Sequence, residues 1–143
     1  MAKAAGTALL ALALFVTGCG QGGASAGATV TVYAAAPLCG EARQGSGAAG
    51  DLEVRVVCLP PLGNRGVDLA AVGGAARRAT QDSTSVAFLE APGSAAKFSR
   101  SIVEAAGVAW IETSSGTAAM RRIRRALDET PSSPREAVLD EVD

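Results

Sequence analysis

Four short apolar runs, separated by segments with helical spacing, constrain the fold of this chain more than any other feature. Residues 29–36 (TVTVYAAA), 51–59 (DLEVRVVCL), 85–90 (SVAFLE) and 108–112 (VAWIE) have the length and the β-branched character of strands. Between them, Leu69, Val72 and Ala76 fall on one face of residues 67–80. Phe98, Ile102 and Ala106 stripe a second helix ended by Gly107, and Met120, Ile123 and Leu127 stripe a third. Such alternation predicts an α/β fold: a small, mostly parallel sheet of four strands flanked by helices, half of a doubly wound sheet. The tight point is residues 37–50. Pro37 stops the first strand, Gly40, Gly45, Gly47 and Gly50 follow, and a parallel return needs about a dozen residues or more. A helix there is expected to be short or absent.

Apolar residues make up 48% of the chain but aromatic ones only 3%, so the core must be built from Ala, Val, Leu and Ile. There is no histidine, which removes His-dependent catalytic triads, His-ligated metals and a histidine pH switch. A net charge of −1 argues against general nucleic-acid binding. Glu90 and Glu112, each at a strand end, are paired carboxylates without a nucleophile, metal ligand or oxyanion arrangement beside them. The expectation is a protein that is not an enzyme and has no cofactor or metal.

The N-terminus reads as an export signal. Lys3 precedes an apolar run at residues 7–16, too short to span a bilayer, which needs about twenty residues. The run ends in Val16-Thr17-Gly18-Cys19, which resembles the lipobox of bacterial lipoproteins. That motif implies cleavage before Cys19 and acylation of its thiol and new amine. The other reading is an ordinary secretory signal with a chance cysteine. Residues 1–18 are then the leader, and residues 19–28, rich in Gly, Ala and Ser, a lipidated flexible tether. The expected location is the extracytoplasmic face of the cell membrane, held by lipid. With Cys19 so used, Cys39 and Cys58 form a disulfide in an oxidising compartment, placed at the ends of neighbouring strands, or stay as two buried thiols. Residues 29–128 constitute the lobe. Residues 129–143, with Pro131, Pro134 and several acids, read as a polar tail able to form at most a short helix through Ala137, Val138 and Leu139.

The lipobox, the strand exit Ala36-Pro37-Leu38-Cys39-Gly40 and the stretch from Ala76 to Met120 together resemble the N-terminal lobe of type I periplasmic-binding proteins. These are the branched-chain amino-acid receptors of ABC transporters. The resemblance implies a small, polar, amino-acid-like ligand at the carboxyl ends of the strands. Ser94, in Ala91-Pro92-Gly93-Ser94, and Ser114, Ser115 and Thr117, in the loop after the last strand, would supply its contacts. Gly116 stands where the family commonly has a threonine. Family members continue into a hinge and a second lobe that closes on the ligand. Only the first is matched here, so the fold is expected to be kept more closely than the receptor function. Ser and Thr are also the preferred helix caps, and the two roles can coexist. The second functional reading is an interaction lipoprotein without a ligand, docking a protein partner or a copy of itself. Arg121, Arg122, Arg124 and Arg125 read as the solvated side of a helix.

Overall fold

Residues 27–61, 68–93, 95–129 and 132–143 are described by a computed structural model, in which each of the four apolar runs contains a strand. In chain order the elements are β1 (Thr29–Ala34), α1 (Ala36–Arg43), β2 (Gly47–Ala49), β3 (Leu52–Cys58) and α2 (Leu69–Gln81). Then come β4 (Ser85–Glu90), α3 (Ala96–Ala105), β5 (Ala109–Glu112), α4 (Gly116–Asp128) and α5 (Pro134–Val142). The sheet order is β2-β3-β1-β4-β5. β1 is parallel to both β3 and β4, β5 is parallel to β4, and β2 alone is antiparallel, against β3. The fold is α/β, with five strands rather than the four expected.

The period-two alternation of the strands sorts the core into two layers. Val30, Val32, Ala34, Val54 and Leu89 pack with Leu38 and Ala42 of α1, with Met120, Ile123 and Leu127 of α4, and with Val138 of α5. Tyr33 and Phe88 point the other way, onto Ala76 and Ala79 of α2 and Val103 of α3. Chain leaving β1 therefore passes to one face of the sheet, and chain leaving β4 to the other.

Four local readings change. First, β1 ends at Ala34, and Pro37, instead of merely stopping it, lies in the first turn of α1, where a missing N–H costs nothing. Second, the crossover holds a helix that is short, as expected, at eight residues, but adds the unexpected β2, joined to β3 through a tight turn at Gly50, whose φ of 55° suits glycine. Third, α3 is rotated from its expected stripe. Phe98 is 39% exposed, and Ala96, Ser99 and Val103 are the buried positions. Likewise Leu69 is 52% exposed at the start of α2, while Val72 and Ala76 are buried.

The fourth change concerns residues 129–143. Instead of only a polar tail, this segment contains α5, whose Val138 is fully buried. Arginines read as a solvated face tie it down: Arg122 donates to the Glu141 carbonyl, and Arg125 pairs with the Glu141 carboxylate at 3.4 Å. From α5 itself, Arg135 donates to the Ser85 carbonyl at 3.0 Å. Arg124 meanwhile donates to the carbonyls of Gly45 and Ala48, holding the β2 segment to α4. Val138→Asp places an unpaired charge in this core and is expected to destabilise the protein by roughly 3 kcal/mol. A lowered midpoint in urea denaturation checks it; an unchanged midpoint would restore the tail reading.

Candidate functional site

At the carboxyl edge of the sheet, backbone pairing continues past the ends of the strands. Ala35 N–H donates to the Leu89 carbonyl, Leu59 N–H to Ala34 and Thr113 N–H to Glu90, each at 2.9 Å. The rim is thus held by the sheet's own hydrogen bonds. Because the chain diverges from β1 and β4 to opposite faces, a crevice must open between them, the topological switch point of an open α/β sheet. A cavity of about 370 Å³ occupies it. Its walls are Ala35 to Pro37 from the start of α1, Leu59 to Pro61 after β3, Val72 and Ala75 of α2, Phe88 of β4, and Ala91 to Gly93 with Ala95 after β4. Among the described residues, the polar side chains in the wall are Asp68 and Glu90.

One cross-link fixes two of these walls. Cys39 and Cys58 form a disulfide with a Cα–Cα separation of 5.4 Å. Cys58 ends β3 as expected, but Cys39 lies inside α1 rather than at a strand end, because the helix begins at Ala36. The bond joins the helix bearing Pro37 to the strand running into Leu59. Closing a loop of this length contributes about 3 kcal/mol in the chain-entropy account.

The two carboxylates are held differently. Asp68 is exposed and caps α2, accepting from the N–H groups of Ala70 and Ala71 at 3.0 and 3.1 Å. Glu90 is only 6% exposed. Its Oε2 accepts from the Ser99 hydroxyl and from Trp110 Nε1 at 3.2 Å. Ser99 itself is fully buried, and Trp110 is paired in register with Phe88. Glu112 sits beside Glu90 in the ladder but is exposed, so the two acids do not share an environment.

The loop after β5 follows a different logic. Ser115 is the N-cap of α4, its Oγ accepting from Ala118 N–H at 3.3 Å. The same hydroxyl donates to Glu41 Oε2 at 3.0 Å, and Thr117 N–H donates to that oxygen at 3.2 Å. The positive end of α4 is therefore occupied by a carboxylate of the chain itself, carried on α1. Gly116 is what lets α1 come so near: a Cβ there would lie 2.6 Å from the Leu38 carbonyl oxygen and 2.9 Å from Ala42 N. A threonine would not fit.

Of the residues expected to contact a ligand, Ser115 and Thr117 engage Glu41, and Ser114 is exposed; none of the three lines the cavity. Ser94 and the lipidation candidate Cys19 lie outside the described residues, although Gly93 and Ala95 on either side of Ser94 are in the wall. The apolar wall and the Glu90–Ser99–Trp110 cluster were not assigned to a ligand from sequence. Their one visible signal was an acid ending an otherwise apolar run, SVAFLE. Among the described residues, no three acids or cysteines come together as a metal-ligand set. Comparison with protein-family models, curated proteins and solved structures gives no match.

The hydrogen bond from Thr117 N–H, followed by that from the Ser115 hydroxyl, holds the Glu41 carboxyl below its ordinary value. A carboxyl depressed on folding contributes stability above its unfolded pKa, and that contribution is lost as pH falls through the lower folded value. Glu41→Gln should therefore lower the melting temperature at pH 7 and leave it nearly unchanged at the acid end, where the native side chain is also neutral. Melting curves between pH 2 and pH 7, about the range of carboxyl titration, check this; equal losses at both ends would contradict it.

Proposed function

We propose that this protein is a membrane-anchored extracytoplasmic lipoprotein whose α/β lobe, of the type I binding-protein kind, takes up a small ligand in the cavity between β1 and β4. The cavity carries the reading. It sits where open α/β sheets bind their ligands, at the switch point beyond the carboxyl ends of the strands, and its volume of about 370 Å³ falls in the range of small-molecule sites. The disulfide supports an oxidising compartment, and the Val16-Thr17-Gly18-Cys19 motif supplies an anchor that needs no protein span. Among the described residues, no helix is long and apolar enough to cross a membrane.

Ligand selection in this reading comes from the apolar wall and its two carboxylates, not from the serines and threonines after β5. The ligand shares the size of an amino acid and a largely apolar body. Melting the protein against amino acids, their amides and the corresponding amines should identify compounds that raise the melting temperature by on the order of 10 °C at a hundredfold excess over Kd. No shift across the panel, with dimerisation on raising protein concentration, would favour a protein-docking role. Independently, radiolabelled palmitate should enter the full chain expressed in a bacterium and be absent from Cys19→Ser. Equal labelling of both would remove the anchor.

A further inference from the structure

We infer that the cavity selects its ligand by positive charge, seating a small organic monocation, an ammonium on an apolar body, against the Glu90 carboxylate. This inference rests on the reading of the cavity as a ligand site and adds the chemistry of what enters it. Glu90 is 6% exposed and forms part of the cavity wall. Both of its hydrogen bonds, from Ser99 and Trp110, fall on Oε2, and among the described residues Oε1 has no partner. Both donors are neutral. The ion pairs among the described residues are Arg55–Asp82, Arg100–Glu104 and Arg125–Glu141, and none involves Glu90. Arg100, next to Ser99 in sequence, turns its guanidinium to Glu104 at 2.7 Å and over the Trp110 ring at 5.2 Å.

A carboxylate largely withdrawn from water, with no ion pair among the described residues, is better engaged by a cation in the cavity than by a neutral group. The free oxygen offers an ammonium a charge-assisted hydrogen bond, roughly twice as strong as a neutral one. Phe88 lies in the same wall, and an aromatic ring near a cation adds to its attraction. Among the described residues, no Lys or Arg lines the cavity, and its other charged side chain, Asp68, is also an acid. A ligand carboxylate would thus face two negative groups from the described wall, so an amine is preferred over the amino acid that shares its skeleton.

Four probes of matched shape test this on the unmodified chain: 2-phenylethylamine, phenylalanine, 2-phenylethanol and 3-phenylpropanoate, titrated by calorimetry at pH 7. The expected order places the amine first by at least tenfold over the neutral alcohol, with the propanoate weakest. Glu90→Gln keeps acceptor capacity for Ser99 and Trp110 and should bring the amine down to the level of the alcohol while leaving the unliganded melting temperature at or above that of the parent. Ala75→Phe, which fills the cavity, should abolish binding of all four. If the alcohol or the propanoate binds as well as the amine, the charge rule is overturned while the cavity remains a ligand site. If none of the four binds, the cavity reading falls and takes the charge rule with it.

Discussion

The fold depends on the double pairing of β1. With β3 on one side and β4 on the other, both parallel to it, its backbone groups are satisfied within the sheet, and it can end only by leaving the sheet at the carboxyl edge. The chain that leaves β1 becomes α1 on one face, while the chain that leaves β4 becomes α3 on the other. A crevice between the two exits is therefore a consequence of strand order rather than of any particular loop sequence. What the loop sequences add is rigidity and polarity. Prolines at 37, 60, 61 and 92 set the walls, and the disulfide joins the α1 side to the β3 side.

The edge carries two electrostatic devices of opposite sense. At β5, the positive end of α4 meets a carboxylate supplied by the chain, so Ser115 and Thr117 act within the fold, and Gly116 is small because α1 must approach to bring Glu41 there. At β4 the reverse holds: a carboxylate is turned inward, and its donors among the described residues are neutral. The first device closes on itself. The second is open toward the cavity.

Much of this was legible in the chain. The four apolar runs held strands: those at 29–36 and 51–59 carry β-branched residues at spacing two, those at 85–90 and 108–112 are short and apolar between helical segments, and Met120, Ile123 and Leu127 marked the buried side of α4 correctly. β2 was not legible, since Gly47-Ala48-Ala49 has no strand preference of its own and is paired only because β3 lies beside it. α5 was obscured by prolines and acids, as its attachment rests on one buried valine and on arginines distant in sequence. The rotation of α3 is the instructive miss. Hydrophobicity favours Phe98 inward, but burying Glu90 requires a donor opposite, and Ser99 takes that place with Phe98 displaced to the surface. The hydroxyl cluster after β5 was ambiguous for a similar reason: cap and ligand contact use the same residue types, and Glu41, which decides between them here, lies far away in the chain.

The choice of a carboxylate at position 90 bears on function because the fold does not call for the charge. Ser99 and Trp110 each need an acceptor, which the amide oxygen of a glutamine would offer at nearly the same size. A glutamate adds to that arrangement a negative charge and a second acceptor oxygen, both disadvantageous in a buried position unless something outside the fold engages them. In a core built largely from alanine and valine, with few aromatic side chains to add buried area, such a cost is not small beside a net stability of roughly 5–15 kcal/mol. On the proposed reading the charge is directed at what enters the cavity, and Ser99 and Trp110 are positioning residues that hold Oε2.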